Sequence, residues 1–146
     1  DILLALDDSG VAGVAAVVVA VLTEQTDIAN ARLRFGSGLI ANLTASRVSS
    51  EKLRKFRVFS HGRYVSADFA AREARVYRLC PGQDGRPAVS ENTQSAPERE
   101  PLRLELEAFV GSVRTRRPPV VSGEDGRRAL ALAQTIIERI GVPARD

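Results

Sequence analysis

The chain has 146 residues, 44% of them hydrophobic and 27% charged, which fits one ordinary domain with a single sizeable core. One cysteine, Cys80, excludes an internal disulfide framework, and with His61 as the only histidine a typical zinc site is excluded too. The net charge of +3 permits anionic partners without demanding nucleic acid, and the longest apolar run, "VAAVVVAVL", falls far short of the ~20 residues a membrane-crossing helix needs. The expectation is a cytoplasmic protein with neither a nucleic acid nor a membrane as partner.

The opening "DILLAL" reads as the end of a helix, stopped by Asp7, Asp8, Ser9 and Gly10. Residues 14–22 are rich in β-branched valine, which favours a strand, and their unbroken apolarity predicts that both faces are covered. Residues 27–35 alternate: Ile28, Asn30, Arg32 and Arg34 point one way, Ala29, Ala31, Leu33 and Phe35 the other. "GSG" at 36–38 then makes a hairpin joint, and residues 39–46 resume the alternation. Residues 54–60, 64–69 and 74–79 complete a series of six strands, with a turn at His61-Gly62. Short connections imply antiparallel neighbours. Residues 80–97, "CPGQDGRPAVSENTQSAP", are rich in Gly, Pro, Ser and Asn and predict a mobile surface loop.

Beyond that loop the period changes. Leu102, Leu106, Phe109, Val110 and Val113 fall at helical spacing, although Leu102-Leu104-Leu106 equally fits a short strand. "RRPPVV" breaks this element, and Ser122 with Asp125 three residues later supplies a capping pattern. Ala129, Leu130, Ala133, Ile136, Ile137 and Ile140 form the apolar stripe of a last helix, which Gly141 and Pro143 stop. Strands followed by helices predict an α+β layer: an open-faced, mainly antiparallel sheet of about six strands with helices on one face.

The catalytic inventory is thin. His61 has no nearby carboxylate to orient it and reads as a turn residue. Cys80 has no histidine or CxxC partner. "GVAG" at 10–13 precedes a strand, where a dinucleotide fingerprint would open a helix. "EKLRKFR" at 51–57 offers Lys52, Arg54, Lys55 and Arg57 to phosphates, but a charge-protected strand edge is the plainer reading. The more informative group is "NLTASR": Asn42, Thr44 and Ser46 share one strand face and Arg47 follows at its end. A sheet face with hydroxyls, an amide and an arginine suits water, a partner subunit or a hydroxylated ligand.

Three stretches together carry a resemblance: "DIANARLRFGSGLIANLTASRVSSEKLRKFRVF", "YVSADFAAREARVYRL" and "EPLRLELEAFVGSVRTRRPPVVSGEDGRRALALAQTI". With them the chain resembles the C-terminal domain of the Gfo/Idh/MocA oxidoreductases (glucose–fructose oxidoreductase, inositol dehydrogenase, rhizopine catabolism), nearest to their sugar-nucleotide branch. The likeness runs from Asp1 to about Ile140, and "RPPVVSGEDGRRAL" and "DIANARLRFGSGLIANLTASR" are its most specific parts.

The resemblance implies an open-faced sheet that helps wall a substrate pocket and makes a homodimer or higher homo-oligomer contact. It also implies an N-terminal Rossmann domain that binds NAD or NADP and lies outside these residues. The family's glycine-rich fingerprint and its Glu-Lys-Pro segment are not found here, and its catalytic histidine is expected just upstream of Asp1. No catalytic, cofactor-binding or metal-ligating residue is therefore assigned. Asn42, Ser46 and Arg47 are the substrate-side candidates. The chain is expected to be inactive alone and to serve a parent dehydrogenase acting on a sugar, polyol or sugar nucleotide. The rival expectation is a stand-alone module that dimerises through its sheet without catalysis.

Overall fold

The computed structural model describes residues 1–82 and 86–140. These form two compact units, one made of residues 1–49 with the chain from Ala108 onward, the other of Ser50–Glu107.

The first unit opens with a short helix, α1 (Ile2–Leu6), and an antiparallel sheet ordered β1-β2-β3: β1 (Val11–Val19), β2 (Ile28–Phe35) and β3 (Ile40–Ser46). Alternation on β2 sends Ala31, Leu33 and Phe35 inward, where they are buried while Asn30, Arg32 and Arg34 stay exposed. Register sets Val14 and Ala41 on either side of Leu33, which is fully buried. Leu33, Phe35 and Ala41 form the core, and Leu3, Leu4, Val11, Leu39, Leu132 and Ile136 pack onto it. The last two come from α3 (Gly123–Glu138), which covers the inner face of the sheet.

The β2–β3 joint is fixed by backbone needs. Gly38 sits at φ 93°, a left-handed conformation that a side chain resists. A Cβ on Gly36 would lie 2.9 Å from the Ser9 carbonyl oxygen, so only glycine lets the turn approach the strand entry. There the Gly36 N–H donates to the Gly10 carbonyl (2.9 Å) and the Ser37 hydroxyl donates to the Asp7 carboxylate.

The second unit is a meander ordered β4-β5-β6-β7: β4 (Lys55–Ser60), β5 (Arg63–Asp68), β6 (Glu73–Pro81) and β7 (Pro87–Ser95), all pairs antiparallel. His61-Gly62 makes the first turn, with Gly62 at φ 68°. Asp68 holds the second by accepting from the Ala70 and Ala71 amides, both at 3.0 Å. The chain then enters α2 (Pro101–Thr115), where Pro101 stands in the first turn and Glu100 caps the Leu102 and Arg103 amides.

The antiparallel α+β class agrees with the sequence, but among the described residues the strands number seven and fall into two sheets. The predicted loop at 80–97 is corrected. β6 runs through Pro81, and β7 occupies 87–95 as an edge strand; residues 83–85 of that stretch lie outside the described residues. β7 escapes a pattern-based reading because every residue of it is exposed, so no apolar period marks it and backbone ladder bonds hold it. Its Pro87 takes the first strand position, where a lost donor is tolerated.

The first strand also differs from expectation. It spans 11–19 instead of 14–22, and Val17 and Val19 are exposed, so only one face is covered among the described residues. Val21, Leu22 and Thr23 leave the ladder because their amides bind the Asp27 carboxylate.

The two longer helices, α2 and α3, expose apolar positions. α3 keeps its capping box, Ser122 with Asp125, but Leu132 rather than Leu130 faces the core, and Leu130 and Ile137 are exposed. Its expected stop at Gly141 and Pro143 lies outside the described residues. The 102–106 stretch is helical, and α2 buries none of Leu102, Leu106, Phe109, Val110 or Val113.

Candidate functional site: the open face of the first sheet

The outer face of β1-β2-β3 is built by register. Arg34 stands beside Ile40, Arg32 between Ala15 and Asn42, Asn30 between Val17 and Thr44, and Ile28 between Val19 and Ser46. Valines line the β1 side, and amides and hydroxyls the β3 side. Two arginines stand on the middle strand. An Arg32 terminal nitrogen donates to Asn42 Oδ1 at 3.5 Å, and the Thr44 hydroxyl donates to Asn30 Oδ1 at 2.8 Å. At the strand end, Ser46 Oγ accepts from the Ser49 hydroxyl (2.7 Å) and the Val48 amide (3.3 Å). These groups are exposed and form few bonds among themselves, so their remaining donors and acceptors are open to a hydroxylated ligand or an opposing surface.

Arg47 is engaged differently. Its Nε donates to Asp27 Oδ1 at 2.7 Å, and its terminal nitrogen bonds the Thr23 hydroxyl. Asp27 is the one buried charged residue among the described residues, and its side chain has no exposed surface. One carboxylate oxygen accepts from the amides of Val21, Leu22 and Thr23 at 2.7–2.9 Å; the other takes Arg47 and the Thr23 hydroxyl. A buried carboxylate is tolerable only with such a complete set of donors. Hydrogen bonds from the Leu22 and Thr23 amides, joined by Arg47 and the Val21 amide, hold its carboxyl well below the ordinary carboxylate range, against the opposing effect of burial. The clamp ties the β1–β2 loop to the end of β3 beside the polar face, and about half of the Arg47 side chain remains exposed.

Of the three residues singled out in the sequence, Asn42 and Ser46 share the open face of β3, and Arg47 stands at its end, turned onto the clamp. Sequence reasoning did not find Asp27 or Thr23 as Arg47's partners. The signal was an aspartate at the very start of a strand after a polar turn, but pairing across 20 residues is a tertiary fact. Arg32 and Asn30 were placed on the right face by alternation without being named as site residues.

Elsewhere the chemistry stays sparse. His61 is exposed in its turn. Cys80 is half-buried, with its Sγ 3.3 Å from Ser90 Oγ. Among the described residues no group of three His, Cys, Asp or Glu side chains converges as a metal site. Gly10 precedes β1 and Gly13 lies within it, so the backbone here does not fit a dinucleotide, whose phosphates need a glycine turn opening a helix. No helix among the described residues is long and apolar enough to cross a membrane.

No family model matches the chain. It is 35% identical over 145 residues to the UDP-N-acetylglucosamine 3-dehydrogenase of Acidithiobacillus ferrooxidans, an alignment covering 99% of this chain and 46% of that protein. A solved structure of that enzyme superposes with a TM-score of 0.83 at 32% identity, over 95% of this chain and 43% of its own. The aldose-aldose oxidoreductase of Caulobacter crescentus, solved with glycerol, gives 0.63 at 25% identity, over 86% and 38%. The chain spans less than half the length of these relatives. Likeness over nearly its whole length makes the chain a homologue of part of these oxidoreductases, and bears out the resemblance to the Gfo/Idh/MocA oxidoreductases read from its sequence.

Proposed function

We propose that the chain is the C-terminal, substrate-side domain of a cytoplasmic NAD(P)-dependent oxidoreductase acting on a sugar, a polyol or, best supported, a sugar nucleotide. The observation that carries this reading is the alignment of 99% of the chain with 46% of a sugar-nucleotide dehydrogenase. The rest of such an enzyme supplies the dinucleotide site and the proton-handling groups, for which the described residues have no counterpart. What this chain contributes is position. Asn42 and Ser46 on the open face, with Arg47 held at its end, orient substrate hydroxyls so that the reacting carbon meets its partner in a fixed geometry. Arg32, beside Asn42, favours an anionic or strongly polar substrate.

The experiment has two arms. The coding DNA upstream of Asp1 is expected to hold an open frame of roughly 120–170 codons with a strand–GxGxxG–helix pattern. Residues 1–146 titrated calorimetrically with NAD+ and NADP+ are expected to give no saturable heat; micromolar binding would overturn this division of labour.

A second part of the proposal is self-association through the first sheet. Val17, Val19 and Ile40 are exposed on the face that carries the polar row, an apolar margin that a cover stabilises. Light scattering after size exclusion is expected to give roughly twice the chain mass of 15.8 kDa. A monomer at high concentration would assign the cover to another domain.

A further inference from the structure

The four-stranded unit carries an aromatic ladder that ends in open solvent. Register pairs Phe59 with Tyr64 and Tyr64 with Tyr77, so three rings stand on one face of the sheet. They stack with centroids 4.6 and 5.3 Å apart and planes inclined by 15° and 17°. β4 is an edge strand, so Tyr64 covers the inner face of Phe59 while its outer face meets no strand; Phe59 is 71% exposed. A flat ring at the end of such a stack is a platform on which one more planar ring continues the ladder.

The backbone beside it is equally open. The Phe69 N–H donates to the Arg54 carbonyl at 2.9 Å, in the same register that closes at Ser60 and Arg63. Hydrogen-bonded and non-bonded pairs alternate along an antiparallel ladder. Arg54, Phe56, Val58 and Ser60 therefore bond β5, whereas Lys55, Arg57 and Phe59 turn their N–H and C=O groups to the free edge. A donor and an acceptor thus lie at the foot of the platform, in reach of the edge of a stacked base.

Charge selects the occupant. Arg57 is on the same face as Phe59, about 7 Å along the strand. Among the described residues it makes no ion pair, while Lys55, one step further, pairs with Asp68 at 3.4 Å. Between Glu51 and Arg57 there are four cations and one anion. A second copy adding its own β4 here would set these cations against each other, so the edge resists self-pairing and attracts an anion.

We propose that this edge is a binding site for a nucleoside diphosphate, its base stacked on Phe59 and its phosphates on Arg57 and Lys55. The site lies wholly within Ser50–Glu107 and does not rest on the substrate reading above.

The chain has no tryptophan, so Phe59→Trp places a single fluorescent reporter in the platform. Titration of that variant with UDP or ADP is expected to quench its emission saturably, after correction for absorbance. Inorganic diphosphate and free uridine should each bind about tenfold more weakly than UDP, since each lacks one half of the recognition. Arg57→Ala in the same background should weaken UDP by about tenfold. No saturable quenching at millimolar UDP would overturn the proposal. So would emission that shifts with protein concentration alone as the mass doubles, because a second copy would then hold the edge. If Phe59→Trp does not fold, saturation-transfer NMR of UDP with the unmodified chain and with Arg57→Ala decides: transfer to the base protons that Arg57→Ala weakens supports the site, and transfer that is absent, or unchanged in Arg57→Ala, refutes it.

Discussion

The two units bury their apolar residues to very different degrees. The three-stranded unit has a core: Leu33 and Phe35 are sealed from water, α3 lies across the inner face, and Asp27 is satisfied by five donors. The four-stranded unit has no buried residue among those described; Val58, Val65 and Val76 share a row yet are only half-buried. Ladder bonds, the aromatic stack and a few surface ion pairs are what hold it. Hydrophobic burial dominates folding free energy, so the first unit sets the stability of the chain and the second depends on a cover. That contrast fits the proposed place of the chain as one domain of an oxidoreductase.

The sharpest way to break the contrast is to compare matched truncations. Leu33→Ala is expected to cost about 3 kcal/mol of unfolding free energy in urea, while Val65→Ala costs about 1 kcal/mol. Equal costs would mean that the second unit has a core of its own. Native-state hydrogen exchange should agree, with the amides of β5 and β6 opening well before those of β2.

Next in size is the clamp. Asp27→Asn keeps the shape but weakens the acceptor of three amides and Arg47, so melting is expected to fall by roughly 5 °C. Exchange protection should vanish at Val21, Leu22 and Thr23 first. The acid response follows from the lowered carboxyl of Asp27. Its contribution is fully present above the unfolded value of about 3.9 and fades as pH falls from there toward the depressed folded value. The wild-type chain should therefore lose stability across that acid window more steeply than Asp27→Asn. Parallel acid curves would show that the clamp contributes nothing.

The capping box ranks below these. Ser122→Ala removes the side chain that takes the Asp125 amide and is expected to cost about 1 kcal/mol. The smallest effect is expected at the end of the aromatic ladder, where Phe59→Ala loses one stacked contact of about 0.5–1 kcal/mol. A loss as large as that of Leu33→Ala would make the ladder the hidden core of the second unit.

Much of this architecture was legible because side-chain period reports burial. The alternation over 27–35 predicted the faces of β2 residue by residue, and Ser122 with Asp125 marked the start of α3. Where burial is missing, the pattern had nothing to report. β7 is exposed along its whole length, so its Ser, Asn and Pro content read as loop. Val21 and Leu22 looked like strand because apolarity does not reveal that a distant carboxylate takes their amides. On the candidate site, alternation correctly grouped Asn42 with Ser46. The commitment of Arg47 to Asp27 was invisible, since it joins residues whose neighbourhood exists only once three strands have paired.

The central claim is that the open face of the first sheet positions the sugar of an oxidoreductase substrate. Its most direct test is the steady-state kinetics of the enzyme expressed from the complete reading frame, followed as nicotinamide reduction with UDP-N-acetylglucosamine and related sugar nucleotides. Sugar-dependent reduction is expected, with a roughly tenfold loss of kcat/KM in Asn42→Ala, the size of one hydrogen bond to a polar substrate, and the fold unchanged. Sugar-dependent turnover that Asn42→Ala, Ser46→Ala and Arg47→Ala all leave untouched would contradict it, as would the lack of any sugar-dependent reduction.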